Sequence, residues 1–350
     1  MIKTLIVDDS AIVREILREI LINDSRFEIA GFAENGKKAV DFCKENSCDL
    51  IIMDINMNVM NGIDASKEIL SFSNPAIVAF TTIEDSETAY KSLTAGVLEV
   101  INKPDFSVMT DEILDNFKEK FFQIAENHKN KKKYQLEKKV KNHLENILLN
   151  KNEKNTEYEI LAIGASTGGP QAILTLLNSL NDNFPLPIVI TQHIDKTFDD
   201  QMTQWLNTSS KIPVSIVKDY EKLEKGHAYV APANFHFTIK KSKENEGQFI
   251  AVLDSSQPEH YLRPAVDKMF KSLALCAGDK TIAVILTGMG TDGTEGAVEI
   301  KKKNGLIIAE SAEDCVVFGM PKSAIESKCV DAVLSLKFIG EFINKKVEKQ

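Results

Sequence analysis

The sequence predicts two open α/β domains in tandem, each a doubly wound parallel sheet, joined by a charged linker. Apolar runs of strand length alternate with helical patterns over residues 1–122 and again over 158–345. Several of these runs end on side chains able to do chemistry, as expected where strand C-termini line a crevice. Between the two regions, Glu126 to Glu157 is rich in Lys, Asn and Glu and contains neither Gly nor Pro.

In the first region, Lys3 to Val7 reads as a buried strand that delivers Asp8 and Asp9 to its end. Ser10 can cap a following helix whose apolar face is Ile12, Ile16, Leu17, Ile20 and Leu21, with Arg14, Glu15, Arg18 and Glu19 opposite. Phe27 to Ala33, Asp49 to Met53, Ile77 to Phe80 and Val97 to Ile101 are the next strands. Helices between them imply right-handed βαβ crossovers. The expected linker, 123–157, includes Lys131-Lys132-Lys133 and a weak helical spacing of Leu136, Val140, Leu144, Ile147 and Leu148. A basic binding tail is the alternative, disfavoured by the interleaved Glu residues. In the second region Glu159 to Ala165, Pro187 to Gln192, Thr281 to Thr287 and Gly305 to Ala309 read as strands. Gly226 to Ala231 and Phe235 to Ile239 form an extended excursion between them.

Composition narrows the function classes. With 350 residues, each domain can bury its own core. A net charge of −9 argues against a general nucleic-acid binder, which needs clustered cations to neutralise phosphates. The five cysteines are scattered, without a Cys-x-x-Cys pair, as expected of free thiols in a reducing cytoplasm and not of a zinc site. The N-terminus turns acidic after a short apolar run, so it does not read as a secretory signal. No apolar stretch approaches the ~20 residues that span a bilayer, so direct membrane insertion is not expected.

Asp8, Asp9 and Asp54 each follow a strand candidate and would meet at one crevice. Converging carboxylates repel unless a hard cation neutralises them, and Mg²⁺ takes a few carboxylate oxygens while leaving room for water and phosphate. Asp54 would then be the nucleophile that becomes an aspartyl phosphate. Lys103 would pair with the added charge, and a hydroxyl from Thr81 or Thr82 would donate to it, the spacing to Lys103 favouring Thr81. Taken singly, Asp8-Asp9 could merely cap a helix and Lys103-Pro104 could be a surface turn.

Gly164-Ala165-Ser166-Thr167-Gly168 fits the Gly-x-Ser-x-Gly pattern of a nucleophile on a tight strand-to-helix turn. A helix from Pro170 through Leu177 would aim its positive end at developing oxyanion charge. Alone, such a turn equally suits a phosphate-cradling loop. His193 at the end of one strand and Asp292 just past another supply the other two members of a Ser-His-Asp triad. The Gly-rich run around Met289 could present a backbone N–H to the oxyanion. The order Ser, His, Asp differs from that of α/β-hydrolases. His227 and His236 lie in the excursion as structural or substrate-facing residues, His260 is ambiguous, and His128 and His143 belong to the linker.

These motifs carry a resemblance. VDDS, the MDINM–NG run with Asp54 and Gly62, Thr81-Thr82 and Lys103-Pro104 resemble a response-regulator receiver domain over residues 1–122. Asn58 stands where that family usually has Pro, and Val100 where it has an aromatic switch residue. AIGASTGGP, VITQH, KGHAYVAPAN, RPAVDKMF, LTGMGTDG and VVFGMPKSAI resemble the catalytic domain of chemotaxis protein-glutamate methylesterases, from Tyr158 to Leu336. Pro258-Glu259-His260-Tyr261-Leu262 departs from that family's Asn-Arg-His run before Arg263. The resemblance implies a flavodoxin-like receiver followed by a Rossmann-like methylesterase domain. It also implies hydrolysis of glutamate γ-methyl esters on methyl-accepting chemotaxis receptors, and deamidation of receptor glutamines, in the cytoplasm. A histidine kinase would donate the phosphoryl group with Mg²⁺ in the receiver, and ester hydrolysis would need no cofactor. Ser166, His193 and Asp292 fall on the family's triad and Met289 on its oxyanion position. An adaptor with an inert second domain, and a serine amidase or protease with another substrate, are the rival readings.

Overall fold

A computed structural model of the chain describes residues 1–82, 86–106, 110–136, 157–194, 198–243 and 247–348. The chain divides into two compact units, Met1–Asn130 and Lys131–Gln350. No helix among the described residues is long and apolar enough to cross a membrane.

The first unit is a five-stranded sheet of β1 (Ile2–Val7), β2 (Phe27–Ala33), β3 (Leu50–Met53), β4 (Ala76–Thr81) and β5 (Glu99–Asn102). Their order is β2-β1-β3-β4-β5, with every pairing parallel. The helices are α1 (Ala11–Ile22), α2 (Gly36–Glu45), α3 (Gly62–Phe72), α4 (Ser86–Leu93) and α5 (Asp111–Leu136). β3 and β4 are buried along their whole length, which is why they read as unbroken apolar runs. Ser10, Asn35 and Asn61 each cap a helix by accepting a backbone N–H three residues on. The buried face of α1 is narrower than its periodicity suggests: Leu17 and Leu21 are buried, whereas Ile12 is exposed.

The domain edge expected at residue 122 needs correction. α5 runs on to Leu136 and the compact unit to Asn130, because Phe121, Ile124 and Ala125 continue to bury against the unit. Phe117 and Phe121 also pack against Phe80 of β4, edge-on. His128, expected in the linker, lies in this helix and bonds the Asn74 carbonyl. The rest of the expected linker, 137–156 with His143, lies outside the described residues.

The second unit is built on a seven-stranded parallel sheet. Its strands are β6 (Ile160–Ala165), β7 (Ile188–Gln192), β8 (Val214–Ile216), β9 (Ala228–Val230), β12 (Thr281–Ile285), β13 (Leu306–Glu310) and β14 (Ala332–Leu334). The order is β14-β13-β12-β6-β7-β9-β8, so the first strand, β6, lies inside the sheet between β12 and β7. The helices are α6 (Gly169–Ser179), α7 (Asp199–Ser209), α8 (Val266–Cys276), α9 (Thr294–Lys302), α10 (Met320–Glu326) and α11 (Leu336–Val347). The excursion after β9 becomes an antiparallel ribbon, β10 (His236–Lys241) with β11 (Phe249–Asp254). Phe237, Ile239 and Phe249 of the ribbon join Met269, Phe270 and Leu273 of α8 in one buried core. The ribbon thereby shares its hydrophobic core with α8, the helix that reaches the site described next.

Candidate functional site

Each unit gathers its reactive side chains at the C-terminal ends of adjacent strands. In the first unit the strand order reverses between β1 and β3, which opens a crevice there. Asp8 follows β1 and Asp54 follows β3; both are buried, while Asp9 is exposed. Carboxylate oxygens of all three lie within 4.8 Å of one another. Lys103 Nζ reaches Asp8 Oδ2 at 2.8 Å and Asp54 Oδ2 at 3.0 Å. The Ile55 N–H donates to Asp54 Oδ1 at 2.8 Å.

Burial pushes the Asp54 carboxyl up to about 6 and the nearby Asp8 adds to this, while Lys103 pulls the other way. Burial lowers Lys103, but its bonds to Asp8 and Asp54 outweigh that and raise it. Thr81 ends β4, and the Lys103 N–H donates to its carbonyl at 2.8 Å. The Thr81 hydroxyl is buried and has no partner among the described residues. Three close carboxylates, a bridging ammonium and an unspent buried hydroxyl fit a hard divalent cation together with a phosphoryl group. Val100, at the position of the family's aromatic residue, lies buried on β5 opposite Ala79.

In the second unit Ser166 follows β6 directly. Two turn residues then lead into α6, with the Gly169 N–H donating to the Ser166 carbonyl at 2.7 Å. Gly168 takes the left-handed conformation at φ +78°, which closes this turn without a Cβ penalty. The neighbouring strand ends are tied to Ser166 by backbone. Its N–H donates to the Thr287 carbonyl at 3.0 Å, and the His193 N–H donates to the Ala165 carbonyl at 3.0 Å. Gln192 Nε2 bridges the carbonyls of Ser166 and His193, at 2.8 Å each. Gly288 packs against the serine so closely that a Cβ there would lie 2.7 Å from Ser166 Cβ. Met289 therefore follows a residue in direct contact with Ser166, and its N–H has no hydrogen bond among the described residues.

His193 Nε2 bonds Asp292 Oδ2 at 2.7 Å. With Nε2–H donated to the carboxylate, the basic nitrogen of the neutral ring is Nδ1. No hydrogen bond joins the Ser166 hydroxyl to this ring among the described residues, so serine and imidazole stand on neighbouring strand ends without a closed contact. Catalytic hydrogen bonds are often loose before substrate arrives.

Sequence reasoning missed the support behind Asp292. The α8 N-terminus is aimed at its carboxylate: Val266 N–H donates to Oδ2 at 2.6 Å and Asp267 N–H to Oδ1 at 2.9 Å, with Gly293 N–H adding 2.8 Å. Burial alone would raise Asp292, but the bonds from His193, Asp267 and Val266 hold it below the usual carboxylate range. Asp267 is itself buried and accepts the Gly296 N–H of α9 at 2.6 Å. Burial raises its carboxyl to about 7, with Asp292 adding to the rise. The signal was Pro264 ahead of an apolar helical run, which marks a helix start.

The other histidines have ordinary partners. His236 is buried, bonding the Gln257 carbonyl through Nε2 and accepting the Ala265 N–H at Nδ1. His227 bonds Ser215 Oγ and packs at a tilt against the Tyr229 ring. His260 lies 4.0 Å from Asp267 and 3.9 Å from Glu295. Glu259 and Glu295, which complete that acidic group, are bridged by Lys271 at 2.5 and 2.8 Å. A cation is already in place there.

Comparison with known proteins matches this architecture. Residues 161–343 fit the model of the CheB methylesterase family and residues 4–114 that of the response regulator receiver domain. A protein-glutamate methylesterase/protein-glutamine glutaminase of Halalkalibacterium halodurans is 35% identical over 99% of both chains. A protein of the same name from Thermotoga maritima is 35% identical over 97% of both. The crystal structure of the Thermotoga maritima CheB methylesterase catalytic domain superposes with a TM-score of 0.51. It is 41% identical and covers 55% of this chain and 99% of that one.

Proposed function

This chain belongs to the CheB methylesterase family, its first unit carrying a response regulator receiver domain, and from that premise we propose how its own residues act. It hydrolyses glutamate γ-methyl esters on chemoreceptors, and deamidates receptor glutamines, through Ser166, His193 and Asp292. The observation that carries this reading is the His193–Asp292 pair at 2.7 Å, from the end of β7 and the loop after β12, the two strands that flank β6 and Ser166.

Ser166 Oγ attacks the ester carbonyl while His193 Nδ1 takes its proton. Asp292 holds the Nε2–H and stabilises the imidazolium that forms. The tetrahedral oxyanion accepts the Met289 N–H, a donor worth ~3 kcal/mol in comparable sites. Collapse breaks the C–O bond to the methoxy group, which leaves as methanol with the proton from His193. Water then attacks the acyl-enzyme, gives its proton to His193, and the proton returns to Ser166 Oγ as the glutamate carboxylate departs. On a glutamine the same steps release ammonia.

The receiver regulates this chemistry. Asp54 takes a phosphoryl group from the chemotaxis histidine kinase. Asp8, Asp9 and Asp54 would hold Mg²⁺, which neutralises charge on the phosphoryl oxygens. Thr81 donates its unspent hydroxyl to the phosphoryl group, and Lys103 pairs with its charge.

The test is methanol release from methylated receptor. Ser166→Ala should cut turnover by ~10⁴–10⁶. Turnover within tenfold of wild type would remove Ser166 from the mechanism.

A further inference from the structure

Cys43 and Cys48 lie outside both sites, yet their sulfurs are in contact. Cys43 is buried in the last turn of α2, and Cys48 is half-buried two residues before β3 begins. Their Sγ atoms are 3.7 Å apart. A disulfide needs about 2.0 Å, so the two sulfurs are a short movement from bonding distance. Both are free thiols, and the intervening residues Lys44 to Ser47 are all exposed, with Cys48 itself partly so. Two thiols in contact suit disulfide exchange, in which one attacks and the other resolves.

We propose that Cys43 and Cys48 form a modification site: a dithiol that closes to an intramolecular disulfide by exchange with a low-molecular-weight disulfide such as oxidised glutathione. One of the two thiolates attacks one sulfur of the small disulfide, whose S–S bond breaks and releases one half as a thiol after protonation. The other thiol, giving up its proton, then attacks the protein sulfur of the mixed disulfide and releases the second half. Two protein thiols become one disulfide, and one small disulfide becomes two small thiols.

The new bond would join the end of α2 to a junction of several elements. Asp49, next to Cys48, donates its N–H to the Lys3 carbonyl and accepts the Ala76 N–H. Its carboxylate accepts the Lys3 N–H at 2.9 Å and pairs with Lys129 of α5. Oxidation would therefore anchor α2 where β1, β3, β4 and α5 already meet, at the end of β3 opposite Asp54.

The experiment treats the full chain with oxidised glutathione, blocks remaining thiols with an alkylating reagent and maps the peptides by mass. The expected result is a peptide linking Cys43 to Cys48 within one chain, both thiols lost to alkylation and both restored by dithiothreitol. Replacing Cys276, Cys315 and Cys329 together by Ser should leave that link in place, while Cys43→Ser or Cys48→Ser should go no further than a glutathione adduct on the remaining thiol of the pair. Recovery of Cys43 and Cys48 from the wild-type chain as alkylated thiols or as stable glutathione adducts would overturn the proposal. So would links only between chains or to other cysteines. The wild-type map decides the matter even if a variant fails to fold.

Discussion

Asp54, directly after β3, and Asp292, in the loop from β12 to α9, are both buried carboxylates, yet the two units treat them in opposite ways. Among the described residues Asp54 receives two donors, the Ile55 N–H and the Lys103 ammonium, and burial leaves it at about 6. Asp292 receives four, from His193, Val266, Asp267 and Gly293, and is held below the usual range. A carboxylate that must attack phosphorus keeps lone pairs free of hydrogen bonds. One that must hold an imidazole is saturated by them and pinned to a helix N-terminus. Hydrogen-bond saturation, more than burial, separates the proposed reacting carboxylate from the proposed supporting one.

The largest expected effect breaks that contrast at Asp292. Asp292→Asn removes the anion and should lower turnover by ~10⁴, measured as methanol release. The same variant tests the acid limb of stability. Because Asp292 is depressed in the folded state, its contribution is complete above its ordinary value of 3.8 and lost as pH falls through the lower folded value. Wild type should lose more stability in that window than the Asn variant. Equal acid denaturation curves would show that the bonds to Asp292 contribute nothing.

At Asp54 the expectation is complete loss of regulation. Treatment with a small phosphoryl donor plus Mg²⁺ should raise wild-type activity, and Asp54→Asn should abolish the rise. An undiminished rise in the variant would exclude Asp54 as the acceptor.

Asp267 sharpens the comparison, because it is a carboxylate buried like Asp292 but with fewer donors. Its folded value is raised, so its contribution to stability is present below 3.8 and lost as pH rises toward about 7. Asp292, Glu295, Lys271 and His260 are the charged or titratable groups facing it. Asp267→Asn keeps an acceptor for the Gly296 N–H and removes the titration. Denaturant unfolding should then show the wild type losing more stability across that interval than the variant, by on the order of a few kcal/mol. Parallel slopes would contradict the reading.

The smallest effect is at Thr81. Thr81→Val deletes a buried hydroxyl that lacks a partner, so the unphosphorylated protein should melt no lower, and up to a few degrees higher. Its activation by the phosphoryl donor should nevertheless weaken. A clear drop in melting temperature would mean that the hydroxyl is already bonded.

Much of this was legible because a buried parallel strand writes itself as an apolar run, and the residue after it is delivered to the crevice. Asp8, Asp54, Ser166 and His193 were all found that way. The short strands Val214–Ile216 and Ala332–Leu334 were not, since three residues carry no periodicity. Composition also misplaced the first domain's edge. The charged residues after 120 cover the outer side of a helix whose inner side still buries Phe121, Ile124 and Ala125.

The sequence by itself determined the two parallel sheets, the order of the strands along the chain and which side chains stand at their ends, because local apolar patterning and turn chemistry encode these. Only the tertiary structure decided that Asp292 meets His193 through Nε2, that the α8 N-terminus secures that carboxylate, and that Cys43 touches Cys48. Such contacts depend on directions in space between segments distant in the chain or turned back on themselves, and residue order carries no record of direction.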